Sequence, residues 1–192
     1  MLGEYALTTY ERMKTRLKLE DDALEENVVE AINVASAVIE SFCRRKFGKR
    51  TYTDLILEDG DEHIFEHYPL LEVIDIDQKP FAVEPLYTES GVMYEKVRSR
   101  SRIRYEAGFV LPSDASEDNP QTLPHDVEHA CQSLVAYLYD DGEGSDRDLS
   151  SELKSFDLGD FKAVLGSGGS ANHLIPADVQ SVLLPYRKVR IG

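Results

Sequence analysis

The sequence predicts an α+β protein, a helical bundle core with an antiparallel β insert. Three observations carry this. Apolar stripes at helical spacing lie in residues 24–42 and 127–138, toward the two ends of the chain. Between Thr51 and Val110 the period shifts to two, and β-forming residues dominate. No helical stretch separates the strands there, which argues against βαβ units. The core (long second helix, central helix, short C-terminal helix) is assigned to residues 1–50 and 123–192, and the insert to 51–122. The chain has 192 residues, 42% of them hydrophobic, enough for one cored domain with a subdomain.

The elements follow in order. Residues 8–18, "TTYERMKTRLK", begin with a capping-box pattern in which Thr8 accepts from the backbone of Glu11. "EDDALEENVVEAINVASAVIESFCRRKFG" reads as a helix about 35–40 Å long. Asp22 is its N-cap, and Leu24, Val28, Ile32, Ala35, Ile39 and Phe42 are its apolar stripe. Acids crowd its start, Arg44, Arg45 and Lys46 its end, and Gly48 stops it. In the insert, "EDGD" at 58–61 reads as a hairpin turn, with further strands near 81–88, 91–97 and 101–107. "LPSDASEDNPQT" is a polar loop. Leu123-Pro124 opens the central helix, which buries Val127, Ala130, Cys131, Leu134, Val135 and Leu138. It ends in the acidic loop "YDDGEGSDRD". "SELKSFDLGDFKAVLG" reads either as a helix or as two short strands, and "GSGGSANH" as a flexible spacer. "PADVQSVLLPYRKVRIG" is a short helix stopped before Pro185, then a basic-apolar tail.

Charge and composition exclude several functions. The formal net charge is −15, from 36 acidic against 21 basic residues, which argues against a general nucleic-acid binder. No long apolar run predicts a membrane span, and "MLGEYALTTYERMK" does not read as a secretory signal. Cys43 and Cys131 lie in apolar helical patterns and read as buried, reduced thiols. No cofactor is indicated.

Three motifs invite chemistry. "HDVEH", residues 125–129, matches an inverted zinc-peptidase pattern, with His125 and His129 as ligands and Glu128 as base. It also reads as the exposed first turn of a helix whose inward positions are filled by Val127, Ala130 and Cys131, and no third ligand helix follows. "GSGGS" at 166–170 lacks the Lys-Ser/Thr of a phosphate loop, and "DDGEGSDRD" lacks calcium-loop spacing. No catalytic arrangement emerges, so the inventory is that of an assembly subunit rather than an enzyme.

Several stretches, in order, carry a resemblance: "ALEENVVEAINVASAVIESFCRRKF", "HYPLLEVIDID", "RIRYEAGF", "LPHDVEHACQSLVAYLYD", "FDLGDFKAVLG" and "IPADVQSVLLPYRKVRI". Together they resemble the head–tail connector (adaptor, or head-completion) proteins of tailed double-stranded-DNA bacteriophages. The β region, at 51–106, is longer than the minimal family pattern. The resemblance implies a structural virion protein at the head–tail junction, made in the bacterial host cytoplasm. It implies a ring of about twelve copies beneath the portal protein, extending the DNA channel and meeting a tail or stopper protein. The C-terminal arm would engage the portal through Leu183, Leu184, Tyr186, Arg187, Lys188, Val189, Arg190 and Ile191.

"KVRSRSRIRYEAGF" places Arg98, Arg100, Arg102 and Arg104 at alternate positions, so one strand would put all four on one face. A ring of chains at −15 each needs local compensation. The stripe is therefore expected to face acids on a neighbouring subunit. Candidates are Asp59, Asp61 and Glu62 in one loop and Asp140, Asp141 and Glu143 in another. Two alternatives stand beside this reading: an edge strand whose charges block aggregation, and a module that grips DNA through the stripe.

Overall fold

The computed structural model describes residues 1–20, 22–79, 86–88, 90–144 and 175–188. Among the described residues it is α+β, with four helices and two small antiparallel sheets. The chain divides into a helical unit (Met1–Arg45, Leu111–Ala115, Leu123–Gly192) and a β unit (Lys46–Val110, Ser116–Thr122).

In the helical unit, α1 spans Tyr10–Leu17, and its cap is Thr9, whose side chain accepts from the Arg12 N–H. The sequence pointed to Thr8 instead. Thr8 is fully buried, so its hydroxyl needs an internal partner, and it donates to Glu128 Oε1 at 3.3 Å. Lys18, left-handed at φ 56°, closes the helix.

The second helix, α2, spans Glu25–Cys43, 19 residues or about 28 Å, shorter than its pattern implies. Both ends have a reason. Asp22 does not cap it, because its carboxylate takes the Tyr10 hydroxyl at 2.7 Å and Lys14 Nζ at 2.6 Å. Those donors hold Asp22 below its ordinary value, Lys14 first. At the other end Arg44 turns left-handed (φ 53°), four residues before Gly48. Val28, Ile32, Ala35, Ile39 and Phe42 are buried as the stripe predicts, and Val29, Ala31 and Val38 are buried beside them.

Helix α3 spans His125–Gly144, so residues 140–144, expected as loop, continue the helix. A glycine costs a helix only about 1 kcal/mol, which a continuing hydrogen-bond ladder overrides. Helix α4 spans Ala177–Leu183 and passes into a 3-10 turn, Leu184–Tyr186, at Pro185. The remainder of "YDDGEGSDRD", "SELKSFDLGDFKAVLG" and "GSGGSANH" lie outside the described residues. Leu7, Met13, Ile32, Ile39, Leu134 and Leu183 are fully buried.

Cys43 and Cys131 are free and buried in this unit. Burial pushes both thiols up to about 12. The native protein is therefore expected to resist a thiol-reactive disulfide reagent at pH 8, and urea-unfolded protein to titrate both cysteines at once; rapid native labelling would contradict the burial.

The β unit contains β1 (Arg50–Leu55), β2 (His63–Ile64), β3 (Leu70–Ile76), β4 (Tyr87–Thr88), β5 (Val92–Met93) and β6 (Arg102–Ala107). One sheet has the order β1-β6-β3 and the other β2-β5-β4, all pairs antiparallel. β1 and β2 therefore form no hairpin, contrary to the reading of "EDGD". Residues 56–62 instead carry the chain from the first sheet to the second. Gly60 and Val97 exchange both backbone bonds there, and Asp59 Oδ1 accepts the Ser99 N–H at 2.6 Å. The tight reversal falls at Asp77 and Gln78, both left-handed (φ 53° and 64°), with Ile76 and Lys79 bonded across it. The inward faces of the two sheets share one core of Ile56, Phe65, Leu70, Val73, Met93 and Tyr105 with their neighbours.

Candidate assembly surfaces

The four arginines do not share one strand. β6 begins at Arg102, so only Arg102 and Arg104 project together from its outer face, with Ile103 and Tyr105 buried opposite. Arg98 and Arg100 lie in the preceding turn. Arg100 is left-handed (φ 68°) and its N–H bonds Ile56 O, while Ser101 bonds back to Arg98 O. A reversal pinned by Asp59 on Ser99 breaks the two-residue period. β6 is also the central strand of its sheet, so the edge-strand reading of the stripe does not hold.

The charges near these arginines come first from the same chain. Arg104 Nη2 lies 2.5 Å from Asp75 Oδ2, and Asp75 Oδ1 accepts the Gln78 N–H at 3.1 Å. Asp75 is buried, which explains an acid inside the apolar run "LLEVIDI". Asp59 is held below its ordinary range by the Ser99 N–H and then by the nearby Arg98 charge. Asp77 is held low first by the Arg102 N–H, with the charges of Lys79 and Arg102 adding to it. Asp61 and Glu62 are exposed. Asp140, Asp141 and Glu143 lie on the last turns of α3, not in a loop.

A second polar cluster sits on the inner side of β1. Asp54 Oδ1 accepts the Tyr105 hydroxyl at 3.0 Å, and Oδ2 lies 3.2 Å from the Glu66 N–H and 3.4 Å from His63 Nε2. His67 stacks on Tyr52 with ring centroids 3.7 Å apart. Burial raises the Asp54 carboxyl, but the donors from His63, Glu66 and Tyr105 together outweigh it and hold Asp54 below its ordinary 3.8. A lowered carboxyl stabilises the fold fully above the unfolded value and loses that contribution as pH falls through the folded one. Asp54→Asn is therefore expected to flatten the acid limb of stability below about pH 4, read as urea midpoints between pH 3 and 7. An unchanged limb would contradict this role.

The C-terminal segment folds back on its own helical unit as far as Lys188. Tyr186 donates to both Asp126 oxygens (2.8 and 2.7 Å), and its hydroxyl is pushed up to about 12 by burial and then by that bond. The Arg187 guanidinium lies 5.2 Å from the Phe42 ring centre, and the Lys188 N–H bonds Cys43 O at 2.8 Å. Leu183 is fully buried and serves as core, so it offers no surface, whereas Leu184 is exposed. Val189, Arg190 and Ile191 lie outside the described residues.

In "HDVEH" the two histidines are exposed, but Glu128 is buried, contrary to an exposed turn. Glu128 Oε1 takes the Arg12 guanidinium, the Thr8 hydroxyl at 3.3 Å and Gln132 Nε2 at 3.3 Å. Through Arg12 this buried carboxylate joins α1 to α3. Among the described residues no three His, Cys, Asp or Glu side chains form a cation cluster. Nor is any helix among them long and apolar enough to cross a membrane. The sequence reading missed Asp75, Asp54 and Asp126, each of which accepts from a residue distant in sequence. Their one local signal is an acid set among apolar or aromatic neighbours.

No protein-family model matches the chain, and no curated protein does. Solved structures do. A chain in the neck of an empty gene transfer agent particle, computed with C6 symmetry, is similar at a TM-score of 0.57 and 15% identity. The match covers 100% of this chain and 95% of that one. A chain of the native gene transfer agent virion is similar at 0.56 and 17% identity, over 100% and 95%. A chain in the native particle neck, computed with C12 symmetry, gives 0.51 and 17% identity over 100% and 97%. The protein shares its fold, end to end, with chains of these particles.

Proposed function

We propose that this protein is a structural component of the neck of a phage-like particle, forming a ring at the junction of head and tail. The observation that carries the reading is the end-to-end likeness to neck chains, across the helical unit and the β unit alike. The symmetric reconstructions of those necks favour multiple copies around an axis. The finer reading is a connector of about twelve copies between the portal protein and a tail or stopper protein, lining the channel through which DNA passes, without catalysis. The acidity supports it, because a wall that repels phosphate lets a duplex slide where a basic wall would hold it.

In this reading the portal meets exposed Leu184 and the tail beyond Lys188. Neighbouring subunits meet through the charges left at the surface, Arg98, Arg100 and Arg102 against acids such as Asp61 and Glu62. The neutralisation of Arg104 by Asp75 counts against a DNA grip. The test is to mix purified protein with a portal ring from the same particle and determine mass by native mass spectrometry. A complex with a fixed number of copies per portal ring supports the reading. A monomer that never binds portal opposes it.

A further inference from the structure

The sheet β2-β5-β4 has two faces of different character. Phe65 and Met93 turn into the shared core. By strand alternation, Ile64 and Val92 lie on the opposite face, and their pairing sets Val92 beside Thr88. Tyr94 and Leu86 continue it, since the Tyr94 N–H bonds Leu86 O at 2.8 Å. Ile64 and Leu86 each keep 69% of their surface in water and Tyr94 keeps 49%. These side chains make an exposed apolar patch on the order of a few hundred Å², about the size of the largest patch on a typical monomer, which is often functional. Glu62, Glu66 and Glu95 are exposed in the same segments, against one exposed cation, Lys96.

We propose that this face docks a short segment of a different protein, one that presents apolar side chains spaced by lysine or arginine. Size argues for a short segment: a stable interface between globular copies needs about 800 Å² per partner, more than this patch supplies. Charge argues against a face-to-face pairing of two copies, because two such faces would bring acidic rims together in a chain of net charge −15. The same rim favours a basic partner and orients it.

The test uses full-length protein and two labelled synthetic eight-residue peptides that alternate Val or Ile with Lys in one and with Glu in the other. Fluorescence anisotropy is expected to show the lysine peptide binding and the glutamate peptide not binding. Ile64→Asp and, separately, Leu86→Ser should each weaken the lysine peptide at least tenfold, while Val182→Ser on α4 leaves it unchanged. Both altered side chains are exposed, and far-UV circular dichroism checks that the variants fold. Equal binding to wild type and to both β-unit variants would reduce the effect to general charge attraction and overturn the proposal. So would failure of the lysine peptide to bind. A concentration-dependent dimer in sedimentation, abolished by Ile64→Asp, would give the face to a second copy and overturn it as well.

Discussion

Gly108→Ala is expected to destabilise the β unit by about 3–5 kcal/mol, from left-handed strain plus an overpacked contact. Gly108 has φ +120°, where side chains are strained whatever space surrounds them. A Cβ there would also lie 2.5 Å from Gly48 O and 2.9 Å from Lys49 Cα, both backbone atoms that cannot rotate aside. The close approach is structural, because β6 ends here against residues 47–49. Phe109 N–H bonds Phe47 O at 2.8 Å, and Lys49 N–H bonds Phe109 O at 3.1 Å. Gly108 N–H bonds Pro69 O at 3.0 Å, tying in the approach to β3. Gly91→Ala is the matched control. It too has a positive φ (+88°), but its nearest neighbours stand 3.6–3.8 Å away, so about 1 kcal/mol is expected. Hydrogen exchange at the Ile103 and Tyr105 amides, with urea midpoints alongside, separates the two. Equal losses would show that the contact with Gly48 contributes nothing.

The second large effect is expected at Arg12. Glu128 is 4% exposed, and Arg12 is its cationic partner beside the neutral donors Thr8 and Gln132. Arg12→Ala leaves the buried carboxylate without that guanidinium, and about 2–3 kcal/mol should be lost. The Arg12 side chain is 43% exposed, so water screens part of the pair and the lower figure is favoured. Adding Glu128→Gln to Arg12→Ala should recover at least half of the loss, because the second change removes the stranded charge. Urea unfolding of the two single variants and the double variant measures the coupling. Independent, additive losses would mean that Arg12 and Glu128 act separately.

Legibility from sequence followed the range of the interactions. The stripe of α2 was readable because five residues from Val28 to Phe42 recur at alternating steps of four and three and all face inward. The antiparallel insert was readable in kind, from alternation and the lack of intervening helices. Its pairing was not, because β1 finds its partner β6 some fifty residues on, and "EDGD" resembles a hairpin turn without serving as one. The arginine stripe failed for a related reason. Alternation is a strand signal only if a strand exists, and Asp59, about forty residues away in sequence, bends the backbone at Ser99. "HDVEH" was correctly taken as a helix turn, but the inward direction of Glu128 depends on where α1 sets Arg12. Caps shifted by one or more residues where a hydroxyl or carboxylate had a tertiary partner, as Thr8 and Asp22 do.

The proposal that this chain belongs to a particle neck is tested most directly by cryo-electron microscopy of phage-like particles from cells that express it. A reconstruction of the head–tail junction is expected to hold a closed ring of copies, with helical unit and β unit both accounted for in density. A neck whose density accommodates neither unit, or purified particles that lack the protein altogether, would contradict it.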